Sequence, residues 1–343
     1  MGKSIEKIIT EVASEVGFSG AIQFRNKDEF FEAAYGYSNR SDQVANTVNT
    51  RFGIASGCKI FTAVGIGLLV DQGKLSFQTS LKDCLDISFP NFSEDVTIHH
   101  LLTHTAGIPD YFDESVMDDF EELWINRPMY TMRHLQDFLF MFQDREMLFQ
   151  PGEKFQYNNA GYIVLGLVIE QVTGMSFTDF IEENVFRKAK MHQSGYFSLD
   201  QLPANTAIGY IDDEETGQWK SNLYSIPVKG GADGGAFITA GDMMNFWEAL
   251  FANELLTKET TETLLTPHAN SNRELAYGYG IWISMRDNEI TKYHVMGYDP
   301  GVNFRSAVYL DGAKVVIASN KNDGAFSIMK AIEEFIGATE PKR

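Results

Sequence analysis

Two residues in this chain have the types and spacing for covalent chemistry. Ser56 and Lys59 stand one helical turn apart at the head of an apolar run from Ile60 to Val70. At i and i+3 of a helix, two side chains share a face and come within reach of each other. A hydroxyl is a poor nucleophile until a neighbouring group takes its proton. A lysine can be that group when desolvation lowers its pKa. A helix N-terminus adds a field that favours developing negative charge. The spacing alone is weak evidence, because Ser4–Lys7 and Ser327–Lys330 repeat it on amphipathic terminal segments where lysine reaches water. Behind Lys59 the run is apolar on every face, so a buried helix is expected. A lysine buried there is costly unless it has a partner or a task.

Other groups carry less. His99, His100 and His104 offer a spacing that can bind zinc on a helix, but no His-Glu-x-x-His pattern accompanies them, and no metal or cofactor is assigned. Gly230–Gly235 lacks the Gly-Lys-Ser/Thr ending of a phosphate loop and reads as a tight turn lining a site. Phe138, Phe140, Phe142 and Phe149 read as core aromatics rather than a stacking platform.

The elements around Ser56 follow from periodicity. Ile5, Ile8, Ile9, Val12 and Val16 predict a helix over roughly 3–17. Ser19–Arg25 and Phe30–Tyr35 predict a hairpin around Asn26–Glu29, and Gly73 should end the Ser56 helix. From about 76 to 225 the signals are mostly helical: a short helix at Thr97–Thr103, a longer pattern over Glu121–Phe142, an apolar helix ending at Gly174, and a start at Ser176. Thr239 and Thr257 should cap two further helices. Strands are predicted at Tyr277–Met285, Ile290–Met296, Val302–Leu310 and Ala313–Ser319, with Asp311-Gly312 as a type I′ turn. A closing helix spans Gly324–Ile336. The assembly implied is α+β: an antiparallel sheet from both chain ends flanked by helices, with an α/β subdomain from about 1–75 and 226–343. A helical subdomain over about 76–225 completes it, and the site is expected where the two parts meet.

Composition bounds the partners. With 343 residues, 44% hydrophobic and 22% charged, the chain is an ordinary globular one that can bury a large core. Acidic residues outnumber basic ones 47 to 28 without a basic cluster, which argues against nucleic acid and against an anionic membrane surface. Uncharged runs such as Ile60–Val70 and Phe155–Ile169 are shorter than the roughly 20 residues a membrane span needs. Residues 1–7 contain no apolar stretch with a small-residue cleavage site, so a cytoplasmic location is expected. Cys58 and Cys84 make no disulfide framework.

Taken together, Ser56–Lys59, Leu101–Tyr111 with its His104-Thr-Ala-Gly107 core, Pro151–Tyr162 and Gly230–Phe237 resemble the serine β-lactamase and penicillin-binding protein superfamily. The resemblance is strongest to the branch holding class C β-lactamases, D-Ala-D-Ala carboxypeptidases and related esterases, and it spans nearly the whole chain. It implies Ser56 as nucleophile, with Lys59 and Tyr157 moving the proton between Ser56 and the leaving group. Asn159 would hydrogen-bond the substrate's acyl-side amide, and the N–H groups of Ser56 and Tyr298 would form an oxyanion hole. The third motif, Lys-Thr-Gly or His-x-Gly, aligns with Val295-Met296-Gly297, so the basic position holds a valine. His294 is one place early, and a one-residue offset in a strand turns a side chain to the other face. A bulge would restore it to substrate binding beside Gly297; otherwise the site lacks the cation that holds a substrate carboxylate. The function implied is an acyl-enzyme hydrolase for a small ester, D-amino-acid peptide or β-lactam. The competing class is a noncatalytic sensor or binding protein that has kept the fold.

Overall fold

A computed structural model describes residues 4–338. Both chain ends build one eight-stranded antiparallel sheet. Its strands are β1 (Gly20–Arg25), β2 (Phe30–Tyr35), β3 (Ala269–Asn270), β4 (Leu275–Tyr277), β5 (Trp282–Arg286), β6 (Glu289–Asp299), β7 (Val302–Tyr309) and β8 (Lys314–Ser319), in the spatial order 2-1-8-7-6-5-4-3. The β1–β2 hairpin closes as its polar turn predicts, with Asn26 Oδ1 accepting the N–H groups of Asp28 and Glu29 at 2.8 and 2.7 Å.

Helices cover both faces of the sheet. On one face α1 (Ile5–Glu15) packs against the closing helix, with Ile5, Ile9, Ile22, Phe24, Ile317, Ile328 and Ile332 in a shared apolar layer. The expected start of α1 at residue 3 lies outside the described residues. On the other face lie α2 (Lys59–Asp71), α3 (Asn159–Thr173), α4 (Ala240–Phe251) and α5 (Lys258–Leu264); α6 (Ala325–Phe335) is the closing helix. Helix α2 is buried from Lys59 to Leu69 and passes through Gln72 to Gly73, whose φ of 68° marks the left-handed stop. Helix α3 ends in the same way at Gly174. Thr239 and Thr257 cap α4 and α5 with their hydroxyls, and Ser176 caps Phe177–Ile181. Among the described residues, no single helix is long and apolar enough to cross a membrane.

Three expectations differ from what forms. Glu121–Phe142 is not one helix but three 3₁₀ turns, Phe120–Trp124, Met129–Thr131 and Leu135–Met141. Pro128 cannot continue a helix, and the aromatics of this stretch pack as separate short turns. Tyr277–Met285 is split into β4 and β5 by a turn in which Gly278 N–H bonds to Ile281 C=O at 2.9 Å. There Gly280 (φ 71°) approaches so closely that a Cβ would lie 2.7 Å from the Lys59 carbonyl oxygen. The β7–β8 turn has only Gly312 (φ 92°) in the left-handed region, with Gly312 N–H bonded to Tyr309 C=O, so it is a longer loop than type I′.

Candidate active site

Ser56 sits in a 3₁₀ turn, Ala55–Cys58, that runs directly into α2. Ala55 ahead of it has φ 46°, a strained value for a residue with a Cβ. Hydrogen bonds on both sides hold it there: Gly57 N–H to Ile54 C=O at 2.8 Å, and Gly235 N–H to Ala55 C=O at 3.3 Å. Strand β6 presses on the same turn. At Gly297 a Cβ would fall 1.9 Å from the Ile54 carbonyl oxygen, so only glycine fits where the third motif demands it.

Lys59 is 1% exposed, and its Nζ donates to three oxygens: Ser56 Oγ at 2.9 Å, Asn159 Oδ1 at 2.9 Å and the Asp233 carbonyl at 2.6 Å. Three acceptors match the three hydrogens of an ammonium. The rings of Tyr157 and Tyr162 lie 4.9 and 5.5 Å from the same nitrogen. Burial pushes the Tyr157 hydroxyl well above its usual range, Glu114 adds to that, and a hydrogen bond with Ser56 opposes it. Tyr157 therefore stands as a neutral phenol beside Ser56.

The head of α3 fixes Asn159. Asp110 accepts the N–H groups of Asn159 and Ala160 at 2.7 and 2.9 Å, and Asn158 caps Gly161. With Oδ1 on Lys59, the Asn159 amide donates to the Phe112 carbonyl at 3.2 Å and to Asp110 at 3.4 Å. Both ends of this side chain are engaged within the protein, so its visible work is orienting Lys59. The donor to substrate implied by resemblance would have to exchange one of these bonds.

His294 turns away from the site. The β6–β7 register from Lys292↔Tyr309 to Asp299↔Val302 is unbroken, so no bulge re-aims it. Its Nε2 pairs with Ser284 Oγ at 3.2 Å, and the lysine two residues before it bonds to Glu333 of α6 on the far face. Alternation puts Val295 and Gly297 on the Ser56 side. Assigning His294 to substrate binding is therefore corrected, and the basic position of the third motif is a buried valine. The histidines of the possible zinc spacing also part company. His99 bonds to Tyr279 at 2.8 Å, His100 caps its own helix with Thr97, and His104 lies under Tyr157.

Ser56 opens into a cleft of about 410 Å³, lined by Tyr111, Phe112, Phe138, Asn159, the glycine loop 230–235 and Tyr298–Val302. Its lining is rich in carboxyl groups. Glu114, Asp118, Asp119, Glu121, Asp233 and Asp299 face it, against Lys229 as the one basic lining residue among the described ones. Asp299 is raised to about 8 by burial and by Asp233, with no side-chain hydrogen bond among the described residues to hold it ionised. Burial also raises Asp233, which accepts from the Tyr111 hydroxyl, and lifts Asp110 to about 7 despite its backbone donors. Sequence reasoning missed Asp110, Asp233 and Asp299. Only Asp233 carried a signal, as the single charged residue inside a glycine run.

The chain and its fold have known relatives. The family model described as Beta-lactamase matches residues 6–332. Penicillin-binding protein 4* of Bacillus subtilis (strain 168) is 28% identical over 355 residues, covering 97% of this chain and 76% of that protein. The crystal structure of a penicillin binding protein from Bacillus halodurans superposes with a TM-score of 0.92 at 53% identity, covering 95% of this chain and 99% of that one. A D-stereospecific amidohydrolase from Streptomyces sp. shares the fold, with a TM-score of 0.80 at 19% identity over 98% of this chain and 99% of that one.

Proposed function

Since the chain belongs to the Beta-lactamase family, we propose that it is a serine hydrolase that forms an acyl-enzyme at Ser56 on a neutral or cationic ester or amide. The observation that carries this reading is the Lys59 nitrogen, buried and bonded to Ser56 Oγ at 2.9 Å at the floor of an open cleft. Nothing in packing alone rewards burying a lysine against a cleft-facing hydroxyl.

In the proposed reaction Ser56 Oγ bonds to the substrate carbonyl carbon as its proton passes to Tyr157 Oη and, in the same concerted step, the phenol's own proton passes to the leaving-group atom, whose bond to the carbonyl carbon then breaks. Lys59 holds the Ser56 oxygen throughout and stabilises its developing charge. The N–H groups of Ser56 and Tyr298 take the oxyanion; such donors are each worth about 2.7–4 kcal/mol. Water then releases the acyl group by the reverse proton path.

Two features support the substrate class. Val295 removes the cation that would hold a substrate carboxylate, and Glu114, Asp118 and Asp119 line the cleft, beside Glu121, which pairs with Lys220, and Asp233 and Asp299, which burial pushes toward the protonated form. A carboxylate ligand entering it meets repulsion, whereas an ammonium meets attraction. Penicillin recognition, named for the relatives, is on this reading a weak activity here.

The test is hydrolysis of p-nitrophenyl butyrate by the wild-type protein and Ser56→Ala, with intact-mass analysis of the acylated chain. A loss of at least ~10³-fold and an adduct on Ser56 are expected. Equal rates with no adduct would instead favour a binding or sensing protein.

A further inference from the structure

We propose that His104 is the positioning residue for Tyr157, an inference that rests on the serine-hydrolase reading and adds a member to its machinery. His104 is 2% exposed and has φ 58°, a left-handed backbone that histidine tolerates better than bulky residues do. Its carbonyl accepts the N–H of Gln156 at 2.9 Å, and its ring Nδ1 accepts the N–H of Asn158 at 3.1 Å. Those are the two neighbours of Tyr157 in the chain. Between them the Tyr157 ring lies on the His104 ring, with centroids 4.4 Å apart and planes inclined by 38°. One residue thus holds the backbone on both sides of Tyr157 and supports its ring.

The chemistry of the imidazole fits this task. Nδ1 accepts only when it carries no proton, and burial together with Lys59 keeps the ring's pKa well below its usual value. His104 is therefore the neutral tautomer with its proton on Nε2, and that nitrogen has no hydrogen-bond partner among the described residues. Tyr162 and Tyr277 close around the ring at 5.1 and 4.6 Å, while Trp282 stacks on Tyr157 at 6.0 Å and 12°. The ring makes no contact that would hold a metal or a substrate. What it does hold is the phenol facing Ser56. A displacement of about 1 Å in a reacting group can cost ~10²-fold in rate.

Two substitutions separate the parts of this device. His104→Asn keeps an acceptor near the Nδ1 position and tolerates the left-handed backbone; His104→Phe keeps a ring and removes the acceptor. With p-nitrophenyl butyrate and protein verified as folded by thermal melting, His104→Asn should retain kcat within ~3-fold. His104→Phe should lower kcat by ~10–100-fold with KM within ~2-fold. The deciding measurement is a cycle with Tyr157→Phe. If His104 acts through Tyr157, His104→Phe costs almost nothing further in that background. An equal loss in both backgrounds, or no loss in folded His104→Phe, overturns the proposal. If Tyr157→Phe alone leaves kcat unchanged, the proton path itself is wrong, which is a separate failure. Should His104→Phe not fold, His104→Gln shifts the acceptor by one methylene and runs the same cycle.

Discussion

Among the described residues two lysines are buried, Lys59 and Lys292, and they lie on opposite faces of the same sheet. Lys292 meets a full counter-charge. Its Nζ is 2.6 Å from Glu333 Oε1, which also accepts from Tyr309 at 2.7 Å, beside the closed apolar layer between sheet, α1 and α6. Lys59 meets only neutral oxygens from a serine, an asparagine and a backbone carbonyl, while Asp233 and Asp110 act on it through space. The first arrangement neutralises a buried charge and is static. The second leaves a donor pressed on a hydroxyl that opens into solvent. Burial of a charged group therefore signals chemistry only where its partners are neutral and one of them is reactive.

That contrast breaks first at Lys59. Lys59→Met should lower kcat/KM for p-nitrophenyl butyrate by ~10³-fold or more, with thermal stability unchanged or raised, since a costly buried charge is gone. Lys292→Met should do the opposite. It takes the counter-charge away from the buried Glu333 at a cost of about 3–5 kcal/mol in urea unfolding, while activity per folded molecule stays near wild type. Adding Glu333→Leu should recover much of that loss. Stability loss at Lys59 with full activity, or activity loss at Lys292 with full stability, would erase the distinction.

The third prediction sharpens the electrostatics of the Lys59 side. Asp299 titrates near 8, so its ionised fraction rises between pH 7 and 9. The preference for butyrylthiocholine over a neutral butyryl thioester should rise several-fold across that range. Asp299→Asn should flatten the rise, and a flat wild-type profile would count against an ammonium-binding wall. The same shift has a stability consequence of definite sign. An unfolded aspartate titrates near ~3.9, whereas the folded group holds its proton up to about 8. Its contribution to stability is full below the lower value and is lost as pH rises through the upper one. Melting temperature should therefore fall less steeply with pH in Asp299→Asn than in the wild type, in melts taken from pH 5 to 9.

Much of the fold was legible because its signals are local. The caps at Thr239, Thr257 and Ser176, the glycine stops at Gly73 and Gly174, and the alternation in β7 and β8 are written within a few residues of where they act. Glu121–Phe142 was misread as one helix because its aromatics match a helical period, while Pro128 and packing against the cleft broke it into short turns. Tyr277–Met285 was misread as one strand because the demand for Gly280 comes from the Lys59 backbone, more than 200 positions away in the chain.

The same division holds at the site. The sequence by itself determined that Ser56 and Lys59 stand together, since a separation of three residues at helical spacing and the apolar run behind them place the two side chains on one face. The family resemblance implied that Val295 stands where relatives carry a base, and strand alternation that His294 needs a bulge to serve instead. The tertiary structure decided that no bulge exists, because the register with β7 is continuous. It decided that Asn159 holds Lys59, that Asp233 and Asp299 are brought together at the cleft, and that His104 straddles Tyr157. Spacing along a chain fixes only neighbours within a turn or a pleat. The charge and tension of a site come from segments a hundred residues apart, and only packing brings those together.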